Sequence, residues 1–245
     1  MRPFIVKIVS VGRGRGKTRL LTHIVTSLSK RGLCVGVVKH CSESIQLPDR
    51  DAENALRAGA MSVVVSSRGL GVLYLRDWVD SLAASIAFLT QPIILVEGFK
   101  DSPFGDLVIQ VAQRGDEILP RISAVVSDSC DWVEGARCIE WSSIDKLVDE
   151  IEKSAHSHIL SQLPGQNCGL CGYDTCAEAA RAVLRGEGIV CPRMMDVVVE
   201  VDGRSVWMNP FVKKMLTRLI DAFLDTLHGV PRERRRIEIS IRLSP

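Results

Sequence analysis

A glycine-rich loop near the start of the chain carries the clearest chemical signal in the sequence. It reads Gly12-Arg13-Gly14-Arg15-Gly16-Lys17-Thr18 and lies between an apolar run and a helical pattern. In such a loop the backbone N–H groups point inward at phosphate oxygens, Lys17 reaches the terminal phosphates, and the Thr18 hydroxyl binds Mg²⁺. The positive N-terminal end of the following helix adds to this attraction. Val11 replaces the first glycine of the full phosphate-loop pattern, so an ordinary glycine-rich turn is the alternative to a nucleoside triphosphate site.

Two carboxylates are candidates for the metal and water chemistry that a bound nucleotide needs. Glu97 directly follows the apolar residues 93–96, at the end of a predicted strand, where a carboxylate can hold the metal ion and orient water. Lys17 and Glu97 are therefore the predicted catalytic residues, and Thr18 and Glu97 the predicted Mg²⁺ ligands. Asp51 is a further candidate, although the helix dipole also explains an acidic residue at the start of a helix.

A second chemical signal is a cluster of cysteines late in the chain. Four of the eight cysteines fall within 24 residues, namely Cys168, Cys171, Cys176 and Cys191. Four thiolates ligate either Zn²⁺ or a [4Fe–4S] cluster. The single C-x-x-C pair and the small residues around it favour the cluster, with zinc or free thiols as the alternatives. The remaining four, Cys34, Cys41, Cys130 and Cys138, are expected to be small buried core residues.

The elements that must position these groups follow from the apolar pattern. Over the first 150 or so residues, short apolar runs alternate with helical patterns, which predicts an α/β fold with a mostly parallel, P-loop NTPase-like sheet. The helical period is lost near residues 154–164. We therefore predict a nucleotide-binding domain over 1–153, a small α+β iron–sulfur domain over 154–195, and an extension over 196–245.

The predicted extension consists of a hairpin, a helix and a strand. Asp202-Gly203 is a strong hairpin-turn signal, and Asn209-Pro210 can start a helix. The aromatic residues Phe211 and Phe223 on that helix are expected to pack in the core of the small domain. Alternation of Ile237, Ile239 and Ile241 predicts a final half-buried strand.

Composition narrows the function classes. Lys and Arg number 31 against 29 Asp and Glu, so the net charge of +2 does not favour nucleic acid or a membrane surface as a partner. The sequence shows no apolar stretch of the roughly 20 residues that a membrane span needs. Its first residues do not have the pattern of a signal peptide. A cytoplasmic location is the expectation.

Five motifs, in order along residues 1–150, resemble the molybdopterin-guanine dinucleotide biosynthesis protein B (MobB) family. They are Gly14-Arg15-Gly16-Lys17-Thr18, Val38-Lys39-His40, Asp51 leading to Leu56-Arg57-Ala58-Gly59-Ala60, Leu95-Val96-Glu97-Gly98-Phe99-Lys100, and Ala124-Val125-Val126-Ser127-Asp128. Together these motifs are far more specific than the phosphate loop alone. The usual run of histidines after Lys-His is absent, so His40 is expected to be packed rather than to bind a ligand.

The resemblance implies a GTP-binding, weakly hydrolysing protein that assists a separate guanylyltransferase. That partner attaches GMP to molybdopterin in molybdenum or tungsten cofactor biosynthesis, so molybdopterin-handling proteins are implied as partners, together with a homodimer. By position, residues 12–18 would hold the phosphates and Mg²⁺, with Glu97 as the acidic residue and Asp51 assisting. Asp128 would accept hydrogen bonds from guanine, with a surface turn as its alternative. The phosphate loop alone leaves ATP open.

The cysteine segment, over residues 155–193, is similar to the four-cysteine iron–sulfur domain of bacterial electron-transport and corrinoid proteins. This resemblance implies a [4Fe–4S] cluster on Cys168, Cys171, Cys176 and Cys191. It leaves a second function open, that of a nucleotide-gated electron-transfer or cluster-delivery protein. A non-enzymatic tether for cofactor-assembly enzymes is a third.

Overall fold

Parallel strands joined by helices form the first part of the chain. The computed structural model describes residues 1–41, 45, 49–189, 191–193, 197, 199–202, 204–206, 208, 210–231, 237, 239 and 241. They divide into a first unit, Met1–Gln162 with Ala180–Gly188, and a second unit, Leu163–Ala179 with Ile189–Pro245. The three-part division of the sequence at 153 and 195 stays a prediction.

The first unit is built on a six-stranded, wholly parallel sheet and one separate hairpin. Its strands are β1 (Phe4–Val9), β2 (Val35–Lys39), β3 (Ser62–Ser67), β4 (Leu70–Leu75), β5 (Ile93–Glu97), β6 (Leu107–Val111), β7 (Ala124–Ser127) and β8 (Cys138–Glu140). The sheet order is β2-β5-β1-β6-β7-β8. Every residue of β1 and β5 is buried, as expected for apolar runs at the centre of a parallel sheet. The predicted α/β architecture is confirmed.

Four helices accompany these strands. They are α1 (Lys17–Lys30), α2 (Arg50–Arg57), α3 (Leu82–Ile86) and α4 (Ile144–Ser161). Helices α1 and α4 contact each other and strand β1, whereas α3 contacts β2 and buries Leu82 against β-strand residues such as Ile5 and Ile94. The sequence pattern placed the loss of helical period near residue 154. Helix α4 continues to Ser161 because Ala155 and Ile159 extend its buried stripe.

Strands β3 and β4 form a two-stranded antiparallel sheet of their own. Several of its apolar side chains are exposed, among them Val64 and Leu73, which are directly paired across the two strands. Helix α2 contacts β3, and a two-stranded hairpin is marginally stable without such packing. The exposed apolar side chains form a surface on which another molecule could also pack.

The second unit contains helix α5 in part, a short hairpin and helix α6. The bounds are α5 (Cys176–Leu184), β9 (Val199–Val201), β10 (Arg204–Val206) and α6 (Pro210–Asp225). The antiparallel β9–β10 pair confirms the hairpin predicted at Asp202-Gly203, of which Gly203 itself lies outside the described residues. Phe211 and Phe223 are 63% and 60% exposed, so the expectation that they are core residues is wrong. The predicted last strand includes residues 238 and 240, which also lie outside the described part.

The cysteines outside the late cluster differ from the buried thiols expected. Cys130 and Cys138 form a disulfide because the chain after β7 turns back and brings their Cα atoms within 5.6 Å of each other. Cys34 is half-buried and Cys41 is exposed. In the described part of the chain, no helix combines the length and apolar composition needed to cross a membrane.

Candidate functional site

The glycine-rich loop lies at the carboxyl end of β1 and leads directly into α1, the place where α/β sheets bind ligands. Gly14 and Gly16 have φ values of +72° and +95°, a backbone conformation that residues other than glycine rarely adopt. Gly16 has a second constraint, since a Cβ there would lie 3.3 Å from Cζ2 of Trp141. The left-handed backbone therefore favours glycine at this position, and a side chain there would press on the Trp141 ring.

Lys17 is held over the loop by oxygen atoms of the loop itself. Its Nζ lies 2.6 Å from the Ser10 hydroxyl and 3.5 Å from the Gly12 carbonyl oxygen. Ser10 in turn donates to the Gly12 carbonyl at 2.6 Å. These contacts fix the ammonium group above the backbone that would surround a phosphate.

Thr18 and Glu97 lie together at the ends of neighbouring elements. The Thr18 hydroxyl is 3.1 Å from each of the two carboxylate oxygens of Glu97. Glu97 is only 7% exposed and ends the central strand β5. A hydroxyl and a carboxylate are the hard oxygen ligands that Mg²⁺ prefers. The structure thus brings Thr18 and Glu97 together, and Lys17 precedes Thr18 directly in the chain; all three were singled out from the sequence.

The chain after Glu97 is shaped by contact with His40. A Cβ on Gly98, whose φ is +100°, would lie 2.9 Å from the Cβ of His40. The His40 ring packs on Phe99 with centroids 4.4 Å apart, and its Nε2 is 3.0 Å from Asp80 Oδ2. His40 is therefore packed, as expected, and supports the strand end that carries Glu97.

The two loop arginines differ in their surroundings. Arg15 turns its guanidinium toward Gln113 Oε1 at 2.5 Å and Asp116 Oδ1 at 2.7 Å. Its side chain therefore braces the loop after β6. Arg13 lies in the middle of the glycine-rich loop and is exposed.

Asp51 and Asp128 do not join the cluster around Lys17. Asp51 is exposed in the first turn of α2, where Asp49 is the capping residue and accepts a hydrogen bond from the Ala52 N–H at 2.8 Å. No hydrogen bond or ion pair between described residues links Asp51 to the loop. Asp128 is exposed and directly follows β7, on the same edge of the sheet as the loop.

Trp141 is a residue at this edge that sequence reasoning missed. It follows β8 in a single turn of 3₁₀ helix, Trp141–Ser143, and its ring contacts the position where Gly16 would carry a side chain. The Arg19 guanidinium lies over the ring at 4.4 Å from its centroid. The available signal was an aromatic residue immediately after a strand at the ligand-binding edge.

In the second unit, all four cysteines of the late cluster line one pocket. Cys168, Cys171, Cys176 and Cys191 share it with neighbours that include Gly169 and Arg193. Cys176 is positioned at the start of α5, where its N–H donates to Asn167 Oδ1 at 2.8 Å. Thr175 and Glu178 form a reciprocal capping box around it, with both hydrogen bonds at 3.1 Å.

The donor set of this pocket fits an iron–sulfur cluster. Among the described residues, no three or more His, Cys, Asp or Glu side chains are arranged to hold one metal ion. The four thiols of a cube each bind a different iron atom, so they surround a pocket rather than meet at one point. The Leu170 backbone N–H, and then the Arg193 side chain, hold the pKa of Cys168 below its ordinary value, which favours the thiolate needed for ligation.

Two protein families match separate segments of the chain. A family described as "Molybdopterin guanine dinucleotide synthesis protein B" matches residues 5–128, slightly more than half of the chain. A family described as "Putative Fe-S cluster" matches residues 163–192.

One relative matches nearly the whole chain, and another matches about half of it. The chain is 23% identical over 232 residues to a "Putative molybdopterin-guanine dinucleotide biosynthesis adapter protein" of Methanocaldococcus jannaschii, covering 92% of this chain and 93% of that one. It is 30% identical over 134 residues to a "Probable molybdopterin-guanine dinucleotide biosynthesis adapter protein" of Bacillus subtilis, with 51% and 76% coverage. The crystal structure of Bacillus subtilis MobB aligns at 22% identity and a TM-score of 0.48, over 66% of this chain and 99% of that one. The chain belongs to the molybdopterin guanine dinucleotide synthesis protein B family, MobB.

Proposed function

We propose that this protein binds GTP and Mg²⁺ at the glycine-rich loop and acts as a weakly hydrolysing adapter in molybdopterin-guanine dinucleotide biosynthesis. Its direct partners would be the guanylyltransferase that attaches GMP and the proteins that handle molybdopterin. The observation that carries the proposal is the contact of Thr18 with Glu97, at the end of the loop over which the Lys17 ammonium is held. The adapter role is supported by the names of the relatives.

The loop residues would each take a distinct role toward a triphosphate. Lys17 would exchange its contacts with Ser10 and Gly12 for phosphate oxygens, and backbone N–H groups of residues 12–18 would bind the others. Thr18 and Glu97 would hold Mg²⁺, which would neutralise phosphate charge. Hydrolysis would follow in-line attack of water on the γ-phosphate, with Lys17 stabilising the developing charge. We expect slow turnover, because Glu97 is committed to the metal rather than free to act as a base.

The proposed preference for GTP depends on Asp128. Its carboxylate, at the carboxyl end of β7, can accept hydrogen bonds from the N–H groups on the edge of guanine, which adenine lacks in that arrangement. A site built on such bonds rejects a base that leaves its polar groups unpaired. Asp128→Ala should therefore lower GTP affinity at least tenfold and leave ATP affinity nearly unchanged in a calorimetric titration.

Titration calorimetry with GTP, ATP and Mg²⁺ tests the site as a whole. Lys17→Ala should abolish measurable GTP binding, and Glu97→Gln should remove the Mg²⁺ dependence while keeping residual affinity. Lys30→Ala, at the exposed far end of the same helix, is the matched control and should bind as the wild type does. A folded wild type that gives no binding heat with either nucleotide contradicts the proposal.

We also propose that the protein forms a homodimer through the β3–β4 hairpin. The support is the exposed apolar surface of that hairpin, where Val64 is 69% and Leu73 is 49% exposed on paired positions. Light scattering after size exclusion should give twice the monomer mass for the wild type and the monomer mass for Val64→Lys with Leu73→Lys. A wild-type monomer at micromolar concentration would contradict this part.

For the second unit we propose a [4Fe–4S] cluster on Cys168, Cys171, Cys176 and Cys191. The support is their shared pocket and the capped helix start that presents Cys176. Protein prepared without oxygen should contain about four iron and four sulfide per chain, and Cys171→Ala should lose both. Stoichiometric zinc without sulfide would contradict the cluster.

A further inference from the structure

Strands β7 and β8 bring two side chains to the same place at the edge of the sheet. In their parallel pairing Ser127 lies opposite Glu140, so the next residues, Asp128 and Trp141, leave the sheet side by side. Paired residues on neighbouring strands are about 5 Å apart. Asp128, the base-reading residue of the proposed function, and Trp141 therefore start from neighbouring positions on the same edge of the sheet.

The indole ring also reaches the phosphate loop. A Cβ at Gly16 would be 3.3 Å from Trp141 Cζ2 and 3.8 Å from Cη2, so the ring lies against the last residue before Lys17. Trp141 thus connects the strand end next to Asp128, where its backbone lies, with the loop that would hold the phosphates, which its ring contacts. A nucleotide spans that interval, with its base a few ångströms beyond its phosphates.

Arg19 holds the ring in this position. Its guanidinium lies over the indole at 4.4 Å from the centroid, and it comes from α1, one residue after Thr18. Trp is the best aromatic partner for a cation, and a stacked guanidinium restricts the ring without burying it. Trp141 itself is only partly buried, so aromatic surface stays available.

We propose that the Arg19–Trp141 pair is the surface against which the purine base of the bound nucleotide packs. This inference rests on the proposed function and deepens it by assigning affinity and selectivity to different residues. Aromatic rings stack on any base, because every base has a π-face. Trp141 therefore adds affinity for GTP and ATP alike, whereas Asp128 discriminates between them.

The experiment compares three ligands, namely Mg²⁺ with GTP, ATP or inorganic tripolyphosphate, by titration calorimetry. Trp141→Ala should lower the affinities for GTP and for ATP by a similar factor, about 5- to 100-fold, which is the range of a base–aromatic stack. The affinity for tripolyphosphate, which has no base, should change less than twofold. Trp141→Phe should restore most of the nucleotide affinity, and Arg19→Ala should weaken both nucleotides to a smaller extent than Trp141→Ala.

Fluorescence gives an independent readout of the same contact. The chain has four tryptophans, and Trp132 lies in the loop between β7 and β8, which makes Trp132→Phe a matched control. GTP should quench the wild type and Trp132→Phe but not Trp141→Phe. Tripolyphosphate should quench none of them.

Two results would overturn the inference while leaving the proposed function intact. The first is unchanged nucleotide affinity in Trp141→Ala. The second is an equal loss of tripolyphosphate affinity, which would show that Trp141 only supports the loop at Gly16. A wild type that binds neither nucleotide nor tripolyphosphate would instead overturn the proposed function, and this inference with it.

Discussion

The two units of this protein position their chemical groups by different means. In the first, the loop and Glu97 are carried by β1 and β5, whose residues Ile8, Ile94 and Leu95 are fully buried. In the second, Cys168 and Cys171 each precede a left-handed glycine, Cys176 begins a helix, and α6 leaves apolar side chains such as Phe211 and Leu219 exposed. A site on a buried sheet is formed by folding alone. A cysteine site with little surrounding core would gain folding energy from the bound group itself.

A matched pair of leucines should show this difference most strongly. Leu28 in α1 is fully buried, whereas Leu219 in α6 is 62% exposed. Leu28→Ala should lower the free energy of unfolding by about 2–5 kcal/mol. Leu219→Ala should cost less than about 0.5 kcal/mol. Urea titrations followed by circular dichroism measure both, and equal losses would mean that α6 is packed in solution.

The disulfide gives the next largest effect and applies to the first unit alone. Cys130–Cys138 closes a nine-residue loop next to the three-residue edge strand β8. Loop-closure entropy gives such a cross-link about 2–3 kcal/mol. The double variant Cys130→Ser with Cys138→Ser should lose that much free energy of unfolding under oxidising conditions. With reductant present, the double variant and the wild type should unfold at the same urea concentration, and a persistent gap would assign the loss to packing instead.

Two glycines have a similar left-handed backbone but different surroundings, one tightly packed and one open. Gly98 has φ +100° and faces His40, whereas Gly165 has φ +70° with no atom near the position of a Cβ. Both alanine variants lose about 1 kcal/mol to the left-handed backbone. Gly98→Ala should cost about 1–2 kcal/mol more, because the backbone strand end must move away from His40. Thermal unfolding of the two variants measures the gap, and its absence would mean that the His40 side yields easily.

The smallest effect concerns a buried lysine in the first unit. Lys7 is 4% exposed in β1 and donates to the Ser102 carbonyl at 2.5 Å. Burial lowers the pKa of Lys7, and nearby Asp101 opposes this only in part. The unfolded chain therefore binds its proton more tightly, so stability should rise as pH increases toward 10.5, the ordinary value. Lys7→Met should flatten this rise in urea titrations between pH 8 and 10.5, and an unchanged slope would exclude Lys7 as its source.

The sequence predicted the parts of the fold that depend on local pattern. Residues 4–9 and 93–96 are continuous apolar runs, and Gly16-Lys17-Thr18 follows the first of them directly, so the sheet and its loop could be anticipated. The contact of Thr18 with Glu97 followed from the rule that parallel strand ends meet at one edge.

What the sequence did not predict depends on contacts between distant segments. Trp141 reaches Gly16 through the pairing of β7 with β8, a register that no local pattern contains. The apolar positions of α6 have the spacing of a core helix, but spacing does not say whether another element covers them, and Phe211 proved exposed. The Cys130–Cys138 pair likewise depends on how the chain turns between two strands.

The position of Glu97 between two neighbouring strands has a consequence for ion selection. Its backbone is paired with Ile8 on one side and Lys39 on the other, so the backbone that carries its carboxylate is held from both sides. A carboxylate on a backbone held in this way can move only by rotation of its own side chain to admit a wider ion. Mg²⁺ needs oxygen ligands at about 2.1 Å and Ca²⁺ at about 2.4 Å, so the rigid strand itself should favour the smaller cation.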